Sequence, residues 1–272
     1  MRSRPASRAL FALAAVLLTG SAAACGDAAP AGQPSGPASA PPAPDDARVQ
    51  LAARAALASD HRFAALYTFV AQGRPQRSIM ATVATDGSWR VDIPGGALGG
   101  TTDVSIAETE AGVFQCAIPS ATNPVAPFCI RVADRGRAVP KRYDPKIQRV
   151  FRQWLPVFTD RQAALSVSAA QPLPGSTGTC FSVDTISASL SAPVDVGIYC
   201  YADDGLLTAA RLKFGTLTIS GTAAAPPPSV ALPGPVAGGD PLGIASPPPT
   251  TPPALTPSTE APAIVGRPSP SA

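Results

Sequence analysis

Between residues 63 and 71 the chain reads FAALYTFVA, where Phe63, Ala65, Tyr67, Phe69 and Ala71 alternate with Ala64, Leu66, Thr68 and Val70. A period of two predicts a strand. The preceding stretch has a different period. From Asp46, the residues Val49, Ala52, Ala53, Ala56 and Leu57 recur at helical spacing with Arg48 and Arg54 elsewhere, which predicts a short amphipathic helix. Next, SIMATVAT-DG-SWRVDI is the pattern of a hairpin. Ile79, Ala81 and Val83 lead in, Trp89, Val91 and Ile93 lead out, and Asp86-Gly87 fits a type I′ turn with its two positive φ angles. Further strands are expected at 104–109, 113–118 and 127–132, with Glu110-Ala111-Gly112 turning between the first two.

The period then returns to that of a helix. In YDPKIQRVFRQWLPVF, Asp144 is placed as an N-cap and Pro145 at the first helical position. Ile147, Val150, Phe151, Trp154, Leu155 and Phe158 form one apolar stripe, Lys146, Arg149 and Arg152 take the other side, and Pro156 is expected to kink or end the helix. Strands follow near 164–170, 179–185, 196–202, 206–213 and 216–220, with a turn at Asp203-Asp204-Gly205. The fold class is therefore mainly β with helices (α+β). Some ten strands joined by short turns make an antiparallel meander, too large to stay flat, whose concave face must be covered. The helix at 144–158 is the natural plug, together with the N-terminal helix.

The first 24 residues have the order of a secretory signal: Arg2, Arg4 and Arg8, an apolar core from Ala9 to Leu18, then small residues. An apolar run of about ten residues reaches roughly 15 Å as a helix, too short for a bilayer core. Cys25 follows the small residues directly, so residues 1–27 resemble a bacterial lipoprotein lipobox, in which the cysteine becomes the first mature residue and carries a diacylglycerol. Ala22 stands where that pattern prefers Leu. The alternative is an ordinary A-x-A signal peptide with an unmodified cysteine. The lipobox likeness implies a protein held to the outer face of the cell membrane by acyl groups on Cys25, since two chains give stable attachment.

Export also organises the composition. The formal charge of +3 equals the three arginines of the signal, so the rest of the chain is balanced. No cluster of Lys and Arg marks a nucleic-acid partner. Residues 25–45 form the candidate lipid anchor and a linker of Pro, Ala, Gly and Ser, residues 46–222 one domain, and residues 223–272, with fifteen prolines, a tail expected to be disordered. Apart from Cys25, four cysteines remain, Cys116, Cys129, Cys180 and Cys200. An exported chain favours disulfides. Of the three possible pairings, 116–129 and 180–200 are preferred because each pair can sit on neighbouring strands. A zinc site is the other reading, but no C-x-x-C pair supports it.

Catalytic constellations are lacking in the pattern. His61 is the only histidine. Beside Asp60 it suits a surface or capping role better than that of a general base. Glu108 and Glu110 share a strand face next to a turn and read as solvated carboxylates. Asp203-Asp204 lack the ligand count of a calcium loop. The glycines of GGALGG, at 95, 96, 99 and 100, follow Pro94 outside any βαβ unit and read as a mobile loop rather than a phosphate cradle. No metal, cofactor or enzymatic activity is expected.

Taken together, the signal, lipobox and Pro-rich linker, the "DGSWRVDI" hairpin, the mid-chain helix and the closing run "GTCFSV…GIYCYADDGLL…LKFGTLTISG" resemble the LolA/LolB–LppX group of periplasmic and mycobacterial lipoproteins, over residues 46–221. That resemblance implies an eleven-strand half-barrel with helices across its open face and an apolar cavity between them that carries lipoproteins or lipids. Phe69, Val83, Trp89, Val91, Phe151, Trp154 and Phe158 are the candidate lining residues. The same residues suit a filled core equally well. Two functions are thus expected as alternatives. One is a membrane-anchored carrier of an acyl-type ligand, with the helix as gate. The other is a non-enzymatic lipoprotein with a packed core that binds an envelope protein partner.

Overall fold

A computed structural model describes residues 44–121, 123–186 and 193–246. The signal, Cys25 and most of the linker, like residues 247–272, lie outside the described residues. The chain opens with α1 (Pro44–Asp60) and continues through β1 (Phe63–Val70), β2 (Arg77–Val83), β3 (Trp89–Ala97), β4 (Thr102–Thr109), β5 (Gly112–Ala117) and β6 (Phe128–Ala133). After a helical interlude ending in α2 (Leu155–Thr159) come β7 (Leu165–Ala170), β8 (Thr179–Thr185), β9 (Gly197–Tyr201), β10 (Leu207–Leu212) and β11 (Gly215–Ile219).

All eleven strands belong to one open, curved antiparallel sheet in the order β6-β5-β4-β3-β2-β1-β11-β10-β9-β8-β7. It consists of two meanders, β1–β6 and β7–β11, joined where β1 pairs with β11 from Tyr67↔Ile219 to Val70↔Thr216. The period-two pattern sets which side chains face inward. Phe63, Ala65, Tyr67 and Phe69 of β1 are buried, whereas Leu66 and Val70 are exposed on the outer face. The Asp86-Gly87 hairpin differs from a type I′ turn. Gly87 has φ 83° but Asp86 is not among the positive-φ residues, and Gly87 N donates to Ala84 O at 3.0 Å. This is the longer hairpin loop in which glycine alone supplies the left-handed conformation.

The covering segment is not the single helix that its apolar period predicts. A 3₁₀ turn at Ile147–Val150 is followed by irregular turns and then by the five residues of α2. Two local causes are visible. Lys146 has φ 71°, incompatible with a helix start at Asp144, and Pro156 sits in the first turn of α2 instead of ending a helix. The Asp144 carboxylate is buried and is not an N-cap of a regular helix. It accepts from Lys146 N (2.8 Å), Gln148 Nε2 (2.7 Å) and Arg149 Nε (2.7 Å), and also pairs with Arg149 Nη2. The apolar stripe nevertheless does its work, because all six of its members are buried in the main core.

Both disulfides form with the preferred pairing, Cys116–Cys129 and Cys180–Cys200, each between directly opposed residues of adjacent strands. They lie on the outer face, in small clusters separate from the main core. Leu173 packs on one and Leu232 on the other. Closing loops of this length stabilises by about 3 kcal/mol each in the chain-entropy model.

Leu232 belongs to the segment expected to be disordered, and this expectation fails for residues 223–246. They form a strap around the β1–β6 half of the sheet. Its proline carbonyls accept and its remaining amides donate. Pro227 O and Pro228 O accept from Thr85 N and Asp86 N, and Pro235 O accepts from Cys129 N at 2.8 Å. Ala224 N reaches Ala64 O, Val230 N the Ser88 hydroxyl, Ala237 N Cys129 O, and Ile244 N Arg142 O. Leu232 is on the outer face, Val236 bridges the edge strand β6, and Leu242 packs on the main core, so the strap turns around that edge. Gly234 allows the approach, since a Cβ there would meet Pro127 O at 2.4 Å. Pairing of this kind covers an otherwise open sheet edge. Composition misleads here because proline removes donors without removing acceptors. Hydrogen exchange on the full chain is expected to show protection at Ala224, Ala237, Leu242 and Ile244; exchange there at unprotected rates would mean the strap is undocked.

Candidate functional site

The inner face of the sheet is closed by α1 and by residues 141–159, and between these layers lie the seven residues singled out as cavity lining. Phe69, Val83, Trp89, Val91, Phe151, Trp154 and Phe158 all belong to one core cluster, none more than 4% exposed. Their rings interlock with tyrosines of the sheet. Phe151 meets Tyr67 edge-on at 5.0 Å, and Trp154 and Phe158 meet Tyr199 edge-on at 5.9 and 5.0 Å. Such edge-to-face pairs add to the burial of apolar area. The Tyr67 hydroxyl donates to Leu207 O at 2.8 Å and that of Tyr199 to Asp195 O at 2.5 Å. Burial pushes the phenols of Tyr67, Tyr199 and Tyr201 well above their ordinary range.

A void in this core, beside Phe63, Phe151, Leu155 and Tyr201, is about 10 Å³. That holds no more than one water. Larger spaces open as clefts at the margins. One of about 300 Å³ lies where the ends of β1 and β3 meet the start of the covering segment. Phe69, Ile93, Ile147, Phe214 and Ile244 supply its apolar walls, and Arg74, Arg77 and Lys146 also line it. Phe69 is the one of the seven predicted residues that reaches this cleft. Trp89 lines a different cleft, of about 250 Å³, with Glu108, Arg137 and Arg152.

The GGALGG segment borders the 300 Å³ cleft and is not a free loop. Leu98 N and Gly99 N donate to Gly243 O (2.8 Å) and Ile244 O (3.0 Å) of the strap. No periodicity could have revealed this, because the partner is a segment with no apolar pattern of its own.

The remaining candidates have structural roles. His61 is at the carboxyl end of α1, where its amide donates to Leu57 O at 2.9 Å, so it does not cap a helix start. Its Nε2 is 3.9 Å from Asp204 Oδ2 and its ring stacks near Phe63. Glu108 and Glu110 do not act as a pair: Glu108 Oε2 accepts from Gly136 N at 2.7 Å, and Glu110 lies in the turn after β4. Asp203 pairs with Arg54 at 2.6 Å, Asp204 accepts from Leu206 N, and Gly205 (φ 88°) leaves room for α1, whose Ala58 N would be 2.4 Å from a Cβ there. Among the described residues no three His, Cys, Asp or Glu side chains gather as a metal site would require.

The fold and its margins thus define an open, curved, eleven-stranded antiparallel sheet with a packed inner layer. No protein-family model matches the chain, and no curated protein matches it at a significant level. Phe158→Ala is expected to cost about 3–5 kcal/mol, as for a ring in a filled core. Urea unfolding measures this, and a loss below about 1 kcal/mol would mean that the ring faces empty space.

Proposed function

We propose that the chain is an exported, non-enzymatic lipoprotein of the cell envelope, anchored through acyl groups on Cys25 to the outer face of the membrane, which works through surface contacts with an envelope partner. The observation that carries this reading is the filled inner layer. The residues offered as a lipid cavity are buried in one core cluster, with Phe151 packed on Tyr67 and Trp154 and Phe158 on Tyr199, and the void beside Phe151 is about 10 Å³. A hydrocarbon chain enclosed there would have to displace aromatic rings that stabilise the fold. The two disulfides support an oxidising compartment outside the cell. The likeness to the LolA/LolB–LppX group is part of the same proposal, supported by the strand count, the openness of the sheet and its covering segments.

A second reading retains an apolar ligand but moves it. The 300 Å³ cleft at the end of β1 and β3 is at the lower limit of ligand pockets and has apolar walls. It would take part of a molecule at the rim of the fold rather than a whole lipid within it.

Protein purified from its native host is expected to carry acyl groups on Cys25 and to retain no further lipid in stoichiometric amount, by mass spectrometry of a solvent extract. Cys25→Ala is expected to remove the acyl groups. A tightly held lipid in equimolar yield would contradict the packed reading, and an unmodified Cys25 in wild-type protein would contradict the anchor.

A further inference from the structure

The 300 Å³ cleft combines apolar walls with an unusual concentration of positive charge. Arg74 comes from the β1–β2 loop, Arg77 from the first position of β2, and Lys146 from the covering segment opposite. Among the described residues, no carboxylate is within ion-pair distance of any of the three. Two acidic groups are near. Asp103 attracts Arg77 from farther away while its Oδ1 accepts Gly95 N at 2.7 Å, and Asp144 is taken up by Arg149 and Gln148.

The two guanidinium groups are held in place by backbone. Arg77 Nη1 donates to Pro94 O (2.7 Å) and Gly95 O (3.2 Å), with its guanidinium carbon 5.1 Å from the centre of the Phe69 ring. Arg74 Nη2 donates to Gly99 O at 3.3 Å. Glycine is what makes the space. A Cβ at Gly100 would be 2.5 Å from Arg74 Nη1, and one at Gly95 would be 3.1 Å from Arg77 Nη1 and 2.8 Å from Gly100 O. The GGALGG segment therefore seats a pair of arginines. Burial first, and then the neighbouring Arg74 cation, lowers the pKa of Arg77, so its charged form is held at a cost that an anion would relieve.

We infer that this cleft binds an amphiphile, with an oxyanion (phosphate or carboxylate) at Arg74, Arg77 and Lys146 and its hydrocarbon part against the half-buried Phe214 and Ile244. This deepens the second reading above and rests on it. Fixed guanidinium groups suit oxyanions because their N–H donors make charge-assisted hydrogen bonds. The hydrocarbon supplies affinity by leaving water for the apolar walls. The anion sets orientation and selects against uncharged chains.

Titration calorimetry on the full chain carrying Cys25→Ser, with decyl phosphate, decanol and inorganic phosphate as probes, tests this. Decyl phosphate is expected to bind at least about tenfold tighter than either other probe, with an affinity that falls as salt rises. Arg74→Gln is expected to weaken it about tenfold and Arg74→Gln with Lys146→Gln further, at unchanged Tm, since both side chains are exposed. Flotation with phosphatidylglycerol against phosphatidylcholine vesicles separates a membrane headgroup, which would give Arg74-dependent binding to the first alone, from a free amphiphile, which would give no such difference. Equal binding of decanol and decyl phosphate would overturn the charge recognition and leave the apolar cleft standing. No binding of either would overturn both, and a double variant that binds decyl phosphate like wild type would overturn the site.

Discussion

The pairing of β1 with β11 is the constraint from which the rest of the architecture follows. It joins the first strand to the last and makes one sheet of two meanders. Eleven strands with the usual twist cannot lie flat. The sheet curves, and its inner face then presents a row of aromatic and aliphatic side chains that only a second layer can remove from water. α1 and residues 141–159 supply that layer, and Tyr67, at one end of the β1–β11 pairing, packs on Phe151 within it.

The outer face shows the same economy on a smaller scale. Each disulfide crosslinks adjacent strands and is covered by one leucine from a connecting or trailing segment. β5 is buried along its whole length because the core is on one side and the strap on the other. The strap also occupies the outer edge of β6. A proline-rich segment suits this use. It is already extended, has few amides to satisfy, and loses little entropy on docking.

Much of this was legible in the residues. Alternation placed the strands and neighbouring-strand logic gave the cysteine pairing, whereas the apolar face expected for α1 was the wrong one, since the helix buries Ala47, Leu51, Ala55 and Ala58 and leaves Val49, Ala53, Ala56 and Leu57 exposed. What stayed hidden depends on tertiary partners. The apolar stripe from Ile147 to Phe158 has a helical period, yet the backbone leaves the helical region at Lys146, makes a 3₁₀ turn at Ile147–Val150 and resumes an α-helix only at Leu155. The stripe reports which side chains are buried, not the hydrogen bonds that connect them. The strap was invisible because its contacts use backbone carbonyls, for which no residue type is diagnostic. At the site, an aromatic list such as Trp89, Trp154 and Phe158 reads alike for a lined cavity and a solid core, since both demand apolar side chains facing inward. Arg74 in its loop and Arg77 at the start of β2 carry no pattern in the sequence, because the glycines that lie against them come from the distant 95–100 segment.

The central claim is that the space between sheet and covering segment is solid. Crystals pressurised with xenon test it most directly, because xenon enters apolar cavities and leaves filled cores unoccupied. The account predicts no xenon site among Tyr67, Phe151, Trp154, Phe158 and Tyr199. Xenon ordered between Trp154 and Tyr199 would reveal greasy volume there and contradict it.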